Sequence, residues 1–471
     1  MKTMMITGTG LIFLFFAISA CFARHPDAKT GDSTSQLLTK EDKTLFIKNA
    51  TVLLNDNYVF PDIAVKIGSY LSEKLNDGAY DTIDDPKVFT KVMTTDMQSV
   101  SHDRHMRVRL APPSMAGADQ DDPVLDAILQ QQEMKEWNNA FIKTEILEGN
   151  IGYIDLRGFV PLAAGKETAT AAMKFLSNAY VIIFDLRKNG GGNPDLIQYI
   201  CSYFFDQPTH LNSLYWRKGD RTQEFWTYDQ IEGKKMVDIP LYILTSNRTF
   251  SGGEEFCYNM QTRKRATLVG EVTGGGANPG GMFPVCKDLV MFIPTGRAIN
   301  PVTGTNWEGT GVRPDIEVPA DQALETALEK ALVDAKQYRE RTLDAMIGAY
   351  KESRATLDQA GQLMDQGKKS EAEASISEAL DNGVRNGIVG EDFINDLGYQ
   401  YLNQDRLNMA IAVFRYNVKT YPGSANAYDS LGEAYLKQGD KKQAAENYKK
   451  SLQLNPANDN AAKVLRDLGK K

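Results

Sequence analysis

The sequence predicts an α/β core over residues 151–335, preceded by a helical domain over 40–110 and followed by an all-α region over 355–471. Three observations predict it. From residue 151 onward, short apolar runs of strand length alternate with segments of helical period, the pattern of a sheet with parallel pairings. Between residues 40 and 104, apolar residues recur at helical spacing. Near its end the chain repeats itself every 34 residues. At 471 residues the chain is too long for one core, and roughly 100–200 residues per domain gives two to four domains. Its 42% hydrophobic and 24% charged residues exclude wholesale disorder and collagen-like repeats. A net charge of −8 without a basic run argues against nucleic-acid binding and against a polybasic lipid patch.

Residues 1–23 have the order of an export signal. Lys2 gives a basic start, and Leu11 to Ile18 is an apolar run too short to span a bilayer. Ile18-Ser19-Ala20-Cys21 resembles a bacterial lipoprotein box, in which Cys21 carries lipid; ordinary cleavage nearby, after Ala23, is the other reading. Both place the protein in the bacterial periplasm or cell envelope. The remaining sequence has no transmembrane span. Residues 24–39 are small and polar and read as a tether.

Helices are expected over Lys43–Leu54, Ile63–Leu75 and Pro86–Met97, separated by the turn signals Asn55-Asp56-Asn57, Asn76-Asp77-Gly78 and Asp84-Asp85-Pro86. Residues 111–150 form a connecting segment. In the core, strands are expected at 151–156, 180–185, 240–245, 266–272 and 288–294. Helices are expected over 166–179, over 194–205 and after Ser251. The wholly apolar run Tyr180 to Phe184 suits a strand covered on both faces. A helical linker follows over 336–354.

The repeat aligns Leu397 with Leu431, Gly398 with Gly432, Tyr401 with Tyr435, Ala410 with Ala444, Phe414 with Tyr448 and Pro422 with Pro456. It resembles the tetratricopeptide repeat, with units at 393–426 and 427–460 and a degenerate unit around 355–382. Each unit buries one face on its neighbour, leaving a concave face that suits a peptide or partner helix.

Four segments could carry chemistry. Asp185-Leu186-Arg187-Lys188-Asn189-Gly190-Gly191-Gly192 follows a strand, and its glycines can turn backbone N–H groups toward an oxyanion; a plain tight turn is the alternative. Ser251 stands where strand gives way to helix, with helix-start amides beside it. Ser251-x-x-Glu254 is also a capping box, which taken alone explains both residues structurally. Among four histidines, His25 lies in the tether and His210 in an expected loop, leaving His102 and His105 as bases for a hydroxyl. Glu308, beside Trp307 and followed by glycines, could orient a histidine or be a solvated loop carboxylate. There is no C-x-x-C pair and no H-E-x-x-H, so no metal site is expected. Cys201, Cys257 and Cys286 allow one disulfide with a spare thiol, or none.

Taken together and in order, these segments resemble the serine peptidase family that contains the tail-specific (C-terminal-processing) proteases, the tricorn core protease and the interphotoreceptor retinoid-binding protein. The resemblance rests on Asp185-Leu186-Arg187-Lys188-Asn189-Gly190-Gly191, on Thr249-Phe250-Ser251 before a helix, and on Gly309-Thr310-Gly311-Val312-Arg313-Pro314-Asp315-Ile316. Leu54 to Pro61, Asp77 to Asp81 and Asp103-Arg104-His105 are similar to the retinoid-binding-protein branch. The 111–150 segment is too short for the PDZ module of tail-specific members. Those members use a Ser–Lys dyad, but Gly270 to Ala277 holds no lysine and Lys287 lies well beyond.

The tricorn-like pattern implies Ser251 as nucleophile, His105 as base with His102 as fallback, and Glu308 as orienting carboxylate. The backbone N–H groups of Gly252, Gly190, Gly191 and Gly192 would form the oxyanion hole. It implies a crotonase-like core and a serine-type peptidase working through an acyl-enzyme on peptide or protein substrates, without metal or organic cofactor. The repeats would dock substrate or partner. Gly252-Gly253 in place of Ala-Ala, and Arg104 in place of glycine, depart from the pattern without removing a reacting group. Some members of the retinoid-binding branch hold apolar ligands, so a non-catalytic binding protein on the same fold is the competing expectation.

Overall fold

The computed structural model describes residues 37–111, 123–385 and 387–469. The signal segment, Cys21 and most of the tether lie outside the described residues. Two compact units divide the chain between Tyr338 and Arg339.

The first unit opens with α1 (Lys40–Asn57), α2 (Pro61–Asn76) and α3 (Pro86–Ser101). Their starts follow from local chemistry. Thr39 and Asp42 satisfy each other's backbone N–H groups at 3.2 and 2.8 Å, while Asp85 accepts from Lys87 and Val88 ahead of α3. Pro61 and Pro86 occupy first-turn positions, where a missing N–H costs nothing. The expected turn at Asn55–Asn57 is instead the last turn of α1, and the helix ends at Tyr58, whose backbone is extended.

After β1 (Arg107–Leu110) come α4 (Pro123–Glu136), β2 (Phe141–Leu147), β3 (Ile151–Leu156), α5 (Leu162–Phe175), β4 (Val181–Asp185) and α6 (Pro194–Cys201). Then follow β5 (His210–Trp216), β6 (Arg221–Trp226), β7 (Leu241–Thr245), α7 (Gly252–Thr262), β8 (Thr267–Gly270), β9 (Gly280–Cys286) and β10 (Leu289–Pro294). β11 (Gly296–Ile299), β12 (Ile316–Glu317) and the long α8 (Ala323–Asp365) complete the series.

A six-stranded sheet of order β12-β8-β7-β4-β3-β2 forms the centre, parallel except for the β2–β3 pair. Alternate residues serve opposite faces, as a period of two requires. Ile154, Ile182, Phe184 and Ile243 join Leu196, Phe256 and Met260 in one core, while Tyr153, Ile183, Tyr242 and Leu244 pack on the other face. There α8 presents Ala323, Ala327, Ala331 and Ala335 at four-residue spacing, all 2% exposed or less. Covering on both sides is why the strands read as continuous apolar runs.

Two antiparallel three-stranded sheets flank it, β1-β10-β9 and β11-β5-β6. The N-terminal helices share their core with the β9–β10 hairpin. β1 pairs with β10, and Phe46, Leu54 and Met97 share a core with Val285, Met291 and Ile293. The expected connecting segment contributes α4 and β2. The expected linker 336–354 is part of α8, without a break.

The second unit continues with α9 (Lys369–Arg385), α10 (Glu391–Asn403), α11 (Leu407–Thr420), α12 (Ala425–Gln438), α13 (Lys441–Leu454) and α14 (Asp459–Leu468). The α10–α11 and α12–α13 pairs carry the 34-residue repeat. The repeated glycine has a packing reason. A Cβ on Gly398 would stand 2.4 Å from the Phe414 ring, and one on Gly432 would stand 3.0 Å from Tyr448. We predict that Gly398→Ala lowers the thermal transition of this unit in calorimetry of the full chain, by about 1–3 kcal/mol of overpacking against at most ~1 kcal/mol of helix propensity gained. Gly432→Ala, with room for its ring to yield, should change stability less. Equal stability of Gly398→Ala and the parent would contradict this packing.

Candidate active site

Ser251 is the last residue before α7, and its backbone is unusual: φ 54° and ψ −119° for a residue with a Cβ. Such a conformation costs about 1–3 kcal/mol and persists only where its surroundings impose it. Two sets of contacts do so here. The loop after β7 is stitched to the turn after β4: the Ser246 hydroxyl donates to Arg187 O (2.6 Å), the Thr249 hydroxyl to Leu186 O (2.8 Å) and Phe250 N–H to Asn189 O (3.0 Å). From the other side, Glu254 Oε2 accepts the Ser251 N–H at 2.8 Å. This is the capping-box contact legible in the sequence.

Glu254 does more than cap. It is fully buried, and it also accepts from the Thr273 hydroxyl (2.5 Å), Gly275 N–H (2.6 Å) and Gly276 N–H (2.8 Å). Burial pushes its carboxyl up to about 7, opposed by these hydrogen bonds.

The glycine turn lies against the serine. Asn189, fully buried, holds it by donating to Leu156 O (3.0 Å) and accepting from Gly191 N–H (2.8 Å). Gly191 has φ 97° and Gly192 φ 137°. A Cβ on Gly192 would lie 2.0 Å from Phe159 O, and one on Gly191 2.7 Å from Gly252 N. A Cβ on Gly253 would meet Asn189 Oδ1 at 2.8 Å, which accounts for glycine at that position. The four expected oxyanion donors therefore differ. Gly190 N–H donates to Arg157 O (3.3 Å) and Gly191 N–H to Asn189, so both are committed elsewhere. The Gly192 and Gly252 N–H groups have no protein acceptor among the described residues.

His105 arrives from the N-terminal side, two residues before β1. It is 7% exposed, its ring 4.6 Å from that of Phe250 and stacked at 5.7 Å on Phe292 of β10. Its Nδ1 is buried without a hydrogen-bond partner. Burial, helped by the Arg107 charge, pushes its pKa down to about 3, so the ring is neutral in the free protein. Two carboxylates stand beside it. One side-chain ligand atom from each of Asp103, His105 and Glu308 lies within 4.8 Å of the other two. Glu308 accepts from the backbone N–H groups of Ala277 (2.5 Å), Asn278 (3.1 Å) and Arg104 (3.3 Å). Asp103 accepts from the Asn278 side chain (2.8 Å), Tyr58 OH (3.3 Å) and His105 N–H (3.0 Å). Burial and the neighbouring Asp103 push the Glu308 carboxyl up to about 8, and burial raises Asp103 too. Six donors aimed at two carboxylates suit a relay beside a histidine better than a cation cage.

Ser251, His105, Gly191, Gly192, Gly252 and Trp307 line one cavity of about 780 Å³. Glu308 does not line it, although its neighbour Trp307 does, with Trp307 Nε1 donating to Gly276 O at 2.8 Å. His102, the fallback base, is the exposed left-handed cap of α3 and is not part of the lining. His210 opens β5 rather than lying in a loop, and stacks on Trp226 at 4.7 Å. Lys287 pairs with Asp42 at 2.5 Å. Cys201, Cys257 and Cys286 are free thiols. Sequence reading missed Asp103 and Asn278 as parts of the site. The Asp103-x-His105 spacing, which lets the aspartate cap the histidine's own N–H, was the available signal for the first.

Residues 150–318 match the model of peptidase family S41, and residues 37–148 match that of the N-terminal domain of this peptidase in eukaryotic IRBP. Residues 425–458 match a tetratricopeptide repeat. The chain is 25% identical over 178 residues to a carboxy-terminal-processing protease of Bartonella bacilliformis, covering 36% of this chain and 39% of that one. It is 26% identical over 187 residues to the chloroplastic carboxyl-terminal-processing peptidase 1 of Arabidopsis thaliana, covering 39% and 37%. The chain thus spans well under half the length of these curated relatives. A solved lipoprotein structure from Streptococcus agalactiae aligns with a TM-score of 0.40 at 13% identity, covering 61% of this chain and 96% of that one.

The depressed His105 pKa has a consequence for stability. Between about pH 6.5 and 3 the unfolded chain binds a proton here that the folded chain does not, so stability is full above pH 6.5 and falls on acidification. Urea unfolding at pH 7 and pH 4 should show a larger loss for the parent than for His105→Gln. Equal losses would mean that this ring is not the buried neutral group described.

Proposed function

We propose, from the premise that this chain belongs to peptidase family S41, that it is an exported serine peptidase acting through Ser251, His105 and Glu308. Ser251 Oγ attacks the carbonyl carbon of a peptide bond while His105 takes the hydroxyl proton on a ring nitrogen. The carbonyl oxygen becomes an oxyanion facing the N–H groups of Gly192 and Gly252. Collapse of this intermediate expels the amine, which receives the proton from His105, and leaves an acyl-serine. Water then attacks the ester, His105 again taking and returning the proton, and the acid product leaves.

The observation that carries the reading is a strained serine at a helix start, sharing one cavity with a buried neutral histidine that is flanked by carboxylates. A base must be neutral before it acts, which burial favours. Once His105 is protonated, its positive charge favours ionisation of the neighbouring Glu308 and Asp103 against the burial that raises them, and the ion pair so formed stabilises the imidazolium. Asp103, which accepts the backbone N–H of His105, enters here as a positioning residue.

The relatives' names suggest trimming of protein C-termini, and the tetratricopeptide repeats supply a docking surface for the protein being trimmed or for a partner. The leader sequence supports action in the periplasm or cell envelope, with Cys21 as the anchoring residue if lipidated. Among the described residues, no helix is long and apolar enough to cross a membrane.

Purified full-length chain should cleave peptides. Ser251→Ala should abolish turnover, and His105→Gln should lower it by about 10²–10⁴-fold. In the parent, the acid limb of kcat/KM should fall below pH 6.5, the ordinary histidine value, because the free enzyme's base resists protonation. Intact turnover in Ser251→Ala would overturn the mechanism. Tight retention of an apolar ligand without any cleavage would favour the binding protein instead.

A further inference from the structure

The charge on the walls of the Ser251 cavity is the reverse of the charge on the whole chain. The protein carries a net −8, yet Arg104, Arg107, Arg157, Lys188 and Arg248 line this cavity against a single carboxyl, Glu255. The acid is not a counterweight at the surface: Glu255 is 6% exposed, and burial pushes its pKa up to about 7. The cations are not equivalent. Arg157 is paired with Asp155 at 2.9 Å. The Arg107 guanidinium lies over the Phe250 ring at 5.7 Å and donates to the Arg104 and His105 carbonyls. Arg104, Lys188 and Arg248 are exposed, and among the described residues none of their side chains is held in an ion pair.

Their positions in the chain matter as much as their number. Arg104 directly precedes His105 and so belongs to the wall that brings the base. Lys188 begins the turn that continues into Gly190, Gly191 and Gly192. Arg248 stands three residues before Ser251. The free cations therefore come from three segments that meet around the serine. A cleft lined by one sign of charge concentrates the field of that charge in the space where a ligand must lie.

Resting on the peptidase reading of this site, we infer that the cleft selects acidic peptide segments, with aspartate or glutamate side chains flanking the bond presented to Ser251. Arg104, Lys188 and Arg248 receive those side chains as exposed, salt-sensitive partners. Hydrogen bonds to fixed backbone groups near Ser251 remain independent of sequence, so selection falls on the flanking residues rather than on the reacting carbonyl.

The test separates binding from cleavage. Full-length Ser251→Ala is titrated with fluorescent peptides of one length that differ only in acidic, neutral or basic residues, at low and at high salt. The acidic peptide should bind about ten-fold tighter than the neutral one at low salt, the basic one weakest, and the advantage should shrink as salt screens it. Combining Lys188→Glu with Arg248→Glu should reverse the order. Lys188→Gln with Arg248→Gln, a milder change at two exposed positions, should level it. Equal affinities for the three peptides, or a preference for the basic one, would overturn the inference. So would equally tight binding of an oligonucleotide of matched charge, which would mark a general polyanion groove. Turnover of the same peptides by the parent chain reports the peptidase reading separately. Acidic selectivity without turnover would sustain the inference and remove the activity, whereas turnover without charge preference would do the opposite.

Discussion

One buried carboxylate holds the site together. Glu254 accepts the N–H of Ser251 and, from the segment after β8, the Thr273 hydroxyl and the N–H groups of Gly275 and Gly276. The next two residues of that segment, Ala277 and Asn278, give their N–H groups to Glu308, and the Asn278 side chain reaches Asp103. A chain of hydrogen bonds thus runs from the serine backbone to the carboxyls beside His105. Removing an acceptor from its middle would leave buried N–H groups unpaired, at about 1–3 kcal/mol each. The strained Ser251 backbone is one of the conformations this network sustains.

The histidine depends on a different device. His105 precedes β1, and β1 is held in place by antiparallel pairing with β10, in the register Arg107 to Phe292 and Val108 to Met291. Met106 and Val108 are buried in the core shared by the N-terminal helices and β10. A slip of one residue would exchange the faces of β1 and turn those side chains outward. Phe292, on β10, also stacks on the imidazole, so the strand that fixes the register also packs the base. The N-terminal helices serve the chemistry through this pairing, although no helix contributes a reacting atom.

Elements governed by local pattern were legible in the sequence. The apolar run before Asp185 is β4, the helix after Ser251 is α7, and the 34-residue period is the α10–α13 array. The Gly-rich turn and Ser251 stood out because each follows a strand and precedes a helix. Less legible were β1, β9 and β11, which are short or partly exposed and exist through long-range pairing. The choice between His102 and His105 also lay outside local reach. They are three residues apart, and only the cap of α3 and the start of β1 send one outward and the other inward. Asn278 carried no local signal, since its role arises from contact with Asp103, 175 residues away. Gly190 and Gly191 read like their neighbour Gly192, and only the hydrogen bonds taken by Arg157 O and Asn189 separate them from it.

The central claim is that this network presents the Ser251 hydroxyl, activated, to the cavity it shares with His105. Mass-spectrometric mapping after reaction with a fluorophosphonate tests it most directly, on the full-length parent and on Glu254→Gln. The account predicts a single adduct on Ser251 in the parent and much slower labelling in the variant, which keeps the side-chain shape but loses the carboxylate. An unmodified Ser251 in the folded parent, or labelling of Glu254→Gln at the parental rate, would contradict it.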